Sequence, residues 1–159
     1  MDNRLPKTDR LLKPSDFAQV FANTRLKVHT DHLIALIHLS GHMSDKTHAL
    51  GEDQPSNRVR LGLAVSKKRL KKAVDRNRLK RLIREQHRLK KNQLAQILCQ
   101  HDLGDLDLVL VCKRTPSDLK GALSAETVEL YDKLARKLLQ INQANKPARA
   151  SDRSGTKTN

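Results

Sequence analysis

Residues 66–92 read SKKRLKKAVDRNRLKRLIREQHRLKKN, and the rest of the chain is arranged around this stretch. From Ala73 onward it holds no Gly or Pro and is rich in strong helix formers, which predicts a helix from about Lys72 to Asn92. At roughly 100° per residue, Leu79, Leu82, Ile83, Gln86 and Leu89 fall on one side, the expected core face. Arg76, Asn77, Lys80, Arg81, Arg84, Arg88 and Lys91 collect on the other. Arg76, Lys80 and Arg84 stand at i,i+4 spacing, where like charges repel. A polyanion laid along that ridge would relieve the repulsion.

A run of Lys and Arg is most often a solvated face. Here the balance is unusually one-sided. Between Arg58 and Lys91 there are 15 Lys and Arg against Asp75 and Glu85 alone, so this segment carries nearly all of the chain's net charge of +15. A solvated helix gains from mixing its signs, and this one does not. The pattern is the electrostatic footprint of nucleic-acid binding.

Just upstream, residues 58–66 alternate. Val59, Leu61, Leu63 and Val65 share one face of a strand, and Arg60, Gly62, Ala64 and Ser66 share the other. Small residues on a face suit either a closely packed helix or a shallow groove open to a ligand, and the alternation does not choose between them. Lys67, Lys68 and Lys72 then lead into the helix entrance, where backbone N–H groups and cations together suit a phosphate. Downstream, Leu94, Ile97 and Leu98 either continue the helix or form a second short one. Beyond Gly104, residues 106–111 form an apolar run that reads as a buried strand. Val128, Tyr131, Leu134, Leu138 and Ile141 then repeat at helical spacing, predicting a last helix over about 125–142 with Tyr131 in the core.

Before the first strand the chain is polar and basic around Pro6, predicting an extended arm over 1–12. Pro14 suits a first helical turn, and Phe17, Val20 and Phe21 at i, i+3 and i+4 give a short amphipathic helix ending near Asn23. Residues 32–39, HLIALIHL, are apolar on both alternations, as in a strand covered on both faces. The predicted order is α-β-β-α-β-α: an α/β (α+β) two-layer sandwich with a small central sheet. One RNA-binding domain spans 13–142, with an inserted flexible loop at 41–57 and a disordered tail at 143–159.

At 159 residues, with an apolar fraction of 37% and only Phe17, Phe21 and Tyr131 as aromatics, the core must be small and aliphatic. No apolar run approaches the roughly 18 residues of a membrane span, and the N-terminal residues carry no apolar signal segment, so a cytoplasmic location is expected. Cys99 and Cys112 lack a CxxC pattern and are expected as buried free thiols. His42 and His48 have no third ligand at fixed spacing, so no metal site is expected. No HExxH, GxSxG or P-loop occurs, and the carboxylates are scattered. No catalytic residue is expected in this chain. His87 is expected on the solvated side of the basic helix.

Val65-Ser66-Lys67-Lys68, Lys72-Ala73-Val74 and Arg76-Asn77-Arg78-Leu79-Lys80-Arg81-Leu82-Ile83-Arg84-Glu85 together resemble the signature of the bacterial ribonuclease P protein component. The resemblance reaches outward to Arg10-Leu11-Leu12, Phe17, Val20-Phe21 and residues 107–113, and so covers roughly residues 10–140. It implies a left-handed β-α-β crossover. It implies further that Lys67, Lys68, Lys72, Arg76, Asn77, Arg78, Lys80, Arg81, Arg84 and Arg88 contact RNA. Phe17, Phe21 and Lys68 would line a cleft for the 5′ leader of precursor tRNA, with His32, Ile34 and Leu36 as candidates on the facing strand. The partners implied are the catalytic RNA of ribonuclease P, in a 1:1 ribonucleoprotein, and precursor tRNA. The chemistry would belong to the RNA, with Mg²⁺ for the holoenzyme and no cofactor held by the protein alone. Three other readings use the same basic helix: a ribosomal or RNA-assembly protein, a metal nuclease disfavoured by the missing acidic cluster, and a major-groove DNA reader lacking a dimerising heptad.

Overall fold

The computed structural model describes residues 5–40, 57–113 and 121–144, the side chains of 142–144 excepted. The inserted loop expected at 41–57 with its histidines, apart from Asn57, and the expected tail from 145 onward lie outside the described residues. The elements run α1 (Pro14–Ala22), β1 (Leu26–His29), β2 (Leu33–Ser40), β3 (Val59–Ala64), α2 (Ala73–Gln100), β4 (Asp105–Cys112) and α3 (Ala122–Ala144). The expected mixed α/β order holds with one strand added, β1, which residues 26–29 are too short to announce by alternation.

The sheet order is β1-β2-β4-β3. β4 lies antiparallel to β2, with Leu36 opposite Val109, and parallel to β3, with Gly62 opposite Val109. Parallel neighbours need a crossover, and α2 supplies it. One face of the sheet presents Leu33, Ala35, Ile37 and Leu39 of β2, Leu106, Leu108 and Leu110 of β4, and Leu61 of β3, all buried in the main core. Leu79, Ile83, Leu94 and Leu98 of α2 join that core, as do Leu123, Leu130, Tyr131, Leu134 and Leu138 of α3. The other face carries a smaller cluster, in which Leu11, Val20 of α1 and Val109 are buried and Phe17, Leu36, Ala64 and Val111 pack around them. Apolar burial at about 25 cal/mol per Å² drives both clusters.

Residues 5–12 do not hang free. Leu5 and Leu11 are buried, a 3-10 turn forms at Lys7–Asp9, and the Leu11 amide donates to the Leu61 carbonyl at 3.0 Å. α1 opens with Pro14 in its first turn and ends where the Thr24 hydroxyl donates to the Val20 carbonyl at 2.6 Å.

The core side of α2 differs from the expected one. Leu89 is 56% exposed, and His87 is fully buried. The buried stripe runs Leu79, Ile83, His87, Leu94 and Leu98, so Leu79 and Ile83 of the expected face are buried and Leu82 packs at its edge, while the centre is rotated toward His87 and away from Gln86 and Leu89. The physical reason is α3: Tyr131 faces His87, and the hydroxyl and Nδ1 share a hydrogen bond of 2.8 Å. Burial pushes the His87 pKa down to about 4, while the Val59 backbone and Asp9 offset part of that effect. Among the described residues, no partner within hydrogen-bond geometry meets its Nε2. Burial also raises the Tyr131 pKa. Cys112 is buried on β4, whereas Cys99 is exposed near the end of α2 rather than buried as expected, and no disulfide joins them.

Two polar groups tie the layers together. The Glu126 carboxylate of α3 accepts from the His32 amide at 2.6 Å, the Leu33 amide at 3.2 Å and the Thr30 hydroxyl, and it pairs with His32 Nδ1 at 2.8 Å. Burial acts to raise its pKa, but these donors prevail and hold it below the ordinary carboxylate value. On the α1 face, Arg60 of β3 forms a two-pronged pair with buried Asp107 of β4, both bonds 2.7 Å, and reaches Asp16 of α1 at 4.0 Å.

Candidate nucleic-acid interface

The interface is built from the connector between β3 and α2, from α2 itself, and from the groove between α1 and the sheet. Lys67 and Lys68 sit exposed on the connector turn, which closes through the amides of Arg69 and Leu70 donating to the Ser66 carbonyl at 3.1 and 3.2 Å. Buried Leu70 anchors the turn, and exposed Lys72 caps α2. Arg76 reaches back from the helix, and its Nη1 donates to the carbonyls of Leu70 and Lys71, each at 2.8 Å. Arg76 therefore fixes the connector against the first turn of α2, and only part of its guanidinium faces outward.

Rotation of the buried stripe sorts the remaining cations. Asn77, Arg78 and Arg81 are exposed on the far side of α2. Lys80 and Arg84 are half-buried on the flank facing the N-terminal segment. Among the described residues, no ion pair reaches Arg78, Lys80, Arg81 or Arg84. Arg88 differs, since its Nη2 lies 2.7 Å from Glu85 in an i,i+3 pair. Farther along, Lys90 pairs with Asp132 at 3.3 Å and Lys91 with Asp9 at 2.7 Å. The charges at the C-terminal end of the ridge are thus matched within the protein, and the N-terminal half carries the excess. Burial pushes the Arg84 pKa down, and the neighbouring Arg10 guanidinium adds to that.

The two phenylalanines of α1 part company. Phe17 packs over Gly62, so closely that a Cβ built there would stand 2.8 Å from Phe17 Cε1. The small residue at position 62 therefore marks close helix packing, and the groove reading of that face fails at this position. Phe21, one turn on, is 51% exposed. Of the facing-strand candidates, Leu36 packs against the α1 cluster and Ile34 shares its face. His32 lies outside that wall, because it precedes β2 and is held by Glu126. Beyond Ala64 the sheet face continues into an open groove lined by Ala64, Val65, Ser66, Arg69, Val111 and Lys113. Lys68 stands exposed on the adjoining turn.

One residue enters the site unannounced by charge counting. Arg10 lines a cavity of about 100 Å³ together with Phe17, Leu63, Lys80 and Arg84. The helix ridge and the Phe17 wall therefore meet in one surface. Its signal in the sequence was Arg10-Leu11, whose alternation sends Leu11 under α1 and Arg10 toward α2.

Among the described residues, no three His, Cys, Asp or Glu are grouped as a metal site, and no helix is long and apolar enough to cross a membrane. The family model described as Ribonuclease P matches residues 5–139. The ribonuclease P protein component of Psychrobacter sp. is 33% identical over 88% of this chain and 91% of its own. That of Idiomarina loihiensis is 36% identical over 82% of this chain and 87% of its own. Among solved structures, the RNase P protein from Staphylococcus aureus is 24% identical, with a TM-score of 0.45, over 87% of this chain and 92% of that one. The family model spans α1, the connector and α2, the relatives match most of the chain, and the chain belongs to the ribonuclease P protein component family.

Proposed function

We propose that the protein is the subunit of ribonuclease P that binds the catalytic RNA through the N-terminal half of α2 and holds the 5′ leader of precursor tRNA along α1. The observation that carries this reading is the set of cations at Arg78, Lys80, Arg81 and Arg84, which have no acidic partner among the described residues, and of which Lys80 and Arg84 adjoin Phe17 of α1. Such a surface attracts a phosphate backbone, while an exposed ring one turn along α1 from Phe17 offers a single-stranded base a stacking platform. Lys67, Lys68, Lys72, Arg76, Asn77 and Arg88 complete the RNA-facing set. Phe21 is the stacking ring, Phe17 holds the wall in place, and Lys68 supplies charge to the leader's path.

In this reading the bond is broken by the RNA subunit, and Mg²⁺ acts through phosphate oxygens rather than through a protein cage. The protein's part is to screen phosphate repulsion between ribozyme and substrate and to distinguish precursor from mature tRNA by the leader. One protein binds one RNA, in the cytoplasm where tRNA is made. The family match gives no support to a ribosomal or assembly role. The experiment is endonucleolytic cleavage of a precursor tRNA at physiological Mg²⁺, by protein alone, catalytic RNA alone, and both. The expected result is no cleavage by the protein, slow cleavage by the RNA and fast cleavage by the pair. Cleavage by RNA-free protein, lost on changing a few carboxylates, would overturn the reading.

A further inference from the structure

The α1 face of the sheet carries a row of polar side chains whose ends meet the ends of α1. In register, Arg60 of β3 stands opposite Asp107 of β4, and Asp107 stands opposite His38 of β2. Directly opposed residues share a face, so the three form one row across three strands. Arg60 grips buried Asp107 through two bonds of 2.7 Å and reaches Asp16, in the first turn of α1, at 4.0 Å. At the other end of the row, His38 Nδ1 lies 3.1 Å from the carbonyl of Asn23, the residue that ends α1. A carbonyl only accepts, so Nδ1 carries the proton and donates. The neighbouring row, Gly62–Val109–Leu36, lies under α1, with Phe17 on Gly62 and Val20 in the cluster with Val109 and Leu36. The lengths agree. Asp16 to Asn23 covers about 10.5 Å of helix at about 1.5 Å per residue, and β3 to β2 is two strand spacings, about 9.6 Å.

We infer that Arg60, Asp107 and His38 are positioning residues that fix α1 at both ends and so set where the exposed Phe21 ring meets the 5′ leader. The inference rests on the proposed leader-binding role of Phe21 and deepens it. Apolar burial under α1 is non-directional, whereas the bonds at its two ends are directional and set its place along the row. Phe21 stands two residues before Asn23, so the His38 bond acts on the end of α1 that carries the ring. Arg60, clamped by Asp107, holds the opposite end against the sheet. None of the three has to touch RNA. A ring held in place before the leader arrives loses less on binding than one whose helix must first be ordered.

The test uses the holoenzyme, full-length protein with catalytic RNA, and reads the ratio of precursor to mature tRNA affinity. His38→Leu removes the donor to Asn23 and leaves the ring in place. The ratio should fall about three- to tenfold, as for one lost hydrogen bond, while the Kd for the catalytic RNA stays unchanged. His38→Gln, which still carries a donor, should restore most of the ratio. The decisive measurement is a double-mutant cycle with Phe21→Ala. Because His38 acts through the ring, His38→Leu should lower the ratio no further once Phe21 is gone. If His38→Leu does not fold, Asp16→Asn, which weakens the opposite tether, takes its place in the cycle. An unchanged ratio, or a loss that adds in full to that of Phe21→Ala, would overturn the inference. A Phe21→Ala holoenzyme with an unaltered ratio would instead refute the leader-binding role on which the inference rests.

Discussion

At the scale of single residues, the two rings of α1 differ in packing, and the proposed function assigns leader binding to the exposed one. Phe17 lies on Gly62, so Phe17→Ala opens a cavity under α1 and should cost about 3 kcal/mol of stability. Phe21→Ala removes an exposed ring and should leave stability within about 0.5 kcal/mol. Precursor tRNA affinity should nonetheless fall by about 1–3 kcal/mol, the worth of one stacked base. Affinity for mature tRNA should not change. Thermal melting and binding on the same two variants separate the roles, and equal losses for precursor and mature tRNA in Phe21→Ala would remove the ring from the leader's path. His87 makes the second residue-scale prediction. Its folded pKa of about 4 lies below the ordinary value of 6.5, so the unfolded chain binds the proton first. Its stabilising effect is therefore full above pH 6.5 and is lost as pH falls toward 4, by about 2 kcal/mol at pH 5. Unfolding free energies at pH 7 and pH 5 should show this difference in the wild type, and His87→Gln should lack it. Both side chains were visible in the sequence as residue types, but their partners were not. The face on which Gly62 and Ala64 stand was ambiguous between packing and groove, and only the Phe17 ring decided it. His87 stands four residues from Ile83, on its side of the helix, yet a histidine within a cationic run gives no reason by itself to be placed inside.

At the scale of elements, α2 organises the charge, and its rotation matters more than its existence. Charge reversal at two arginines should now give two different outcomes. Arg81 is exposed without a partner among the described residues, so Arg81→Glu should weaken binding to the catalytic RNA while melting stays put. Arg76 holds the Leu70 and Lys71 carbonyls, so Arg76→Glu should weaken binding and also lower stability by about 1–3 kcal/mol through the groups left unmet. Equal melting temperatures for the two variants would show that the Arg76 bonds do not hold the connector in solution. The helix and β3 were legible because each is strongly periodic, and β4 because its run is continuously apolar. β1 was missed because four residues cannot establish a period. Leu79, Leu82 and Ile83 of the expected face of α2 do meet the core, but Leu89 was misplaced because it is apolar by type, whereas the face that α3 covers is set by tertiary packing. The continuation from Asn92 to Gln100 was left open in the sequence, and Leu94, Ile97 and Leu98 resolve it by burial on one helix. Arg10 fell within the expected extended arm because nothing local reveals the bridge to Leu61.

At the scale of the whole molecule, the protein is a small sandwich that keeps one charged side for a partner. Its layers are held by aliphatic burial, by Arg60 on Asp107 and by Glu126 on the turn at Thr30 and His32. None of these needs RNA. The excess of cations on α2 and at Arg10 is a different matter, because it serves binding and acts against folding. The central claim is that this face neutralises RNA phosphates, and its most direct test is the salt dependence of binding to the catalytic RNA. With about six phosphates neutralised, log K plotted against log salt should fall with a slope near −4 to −5, and Arg81→Glu should flatten it by about one. A slope near −1 in the wild type, unchanged in the variant, would contradict the account.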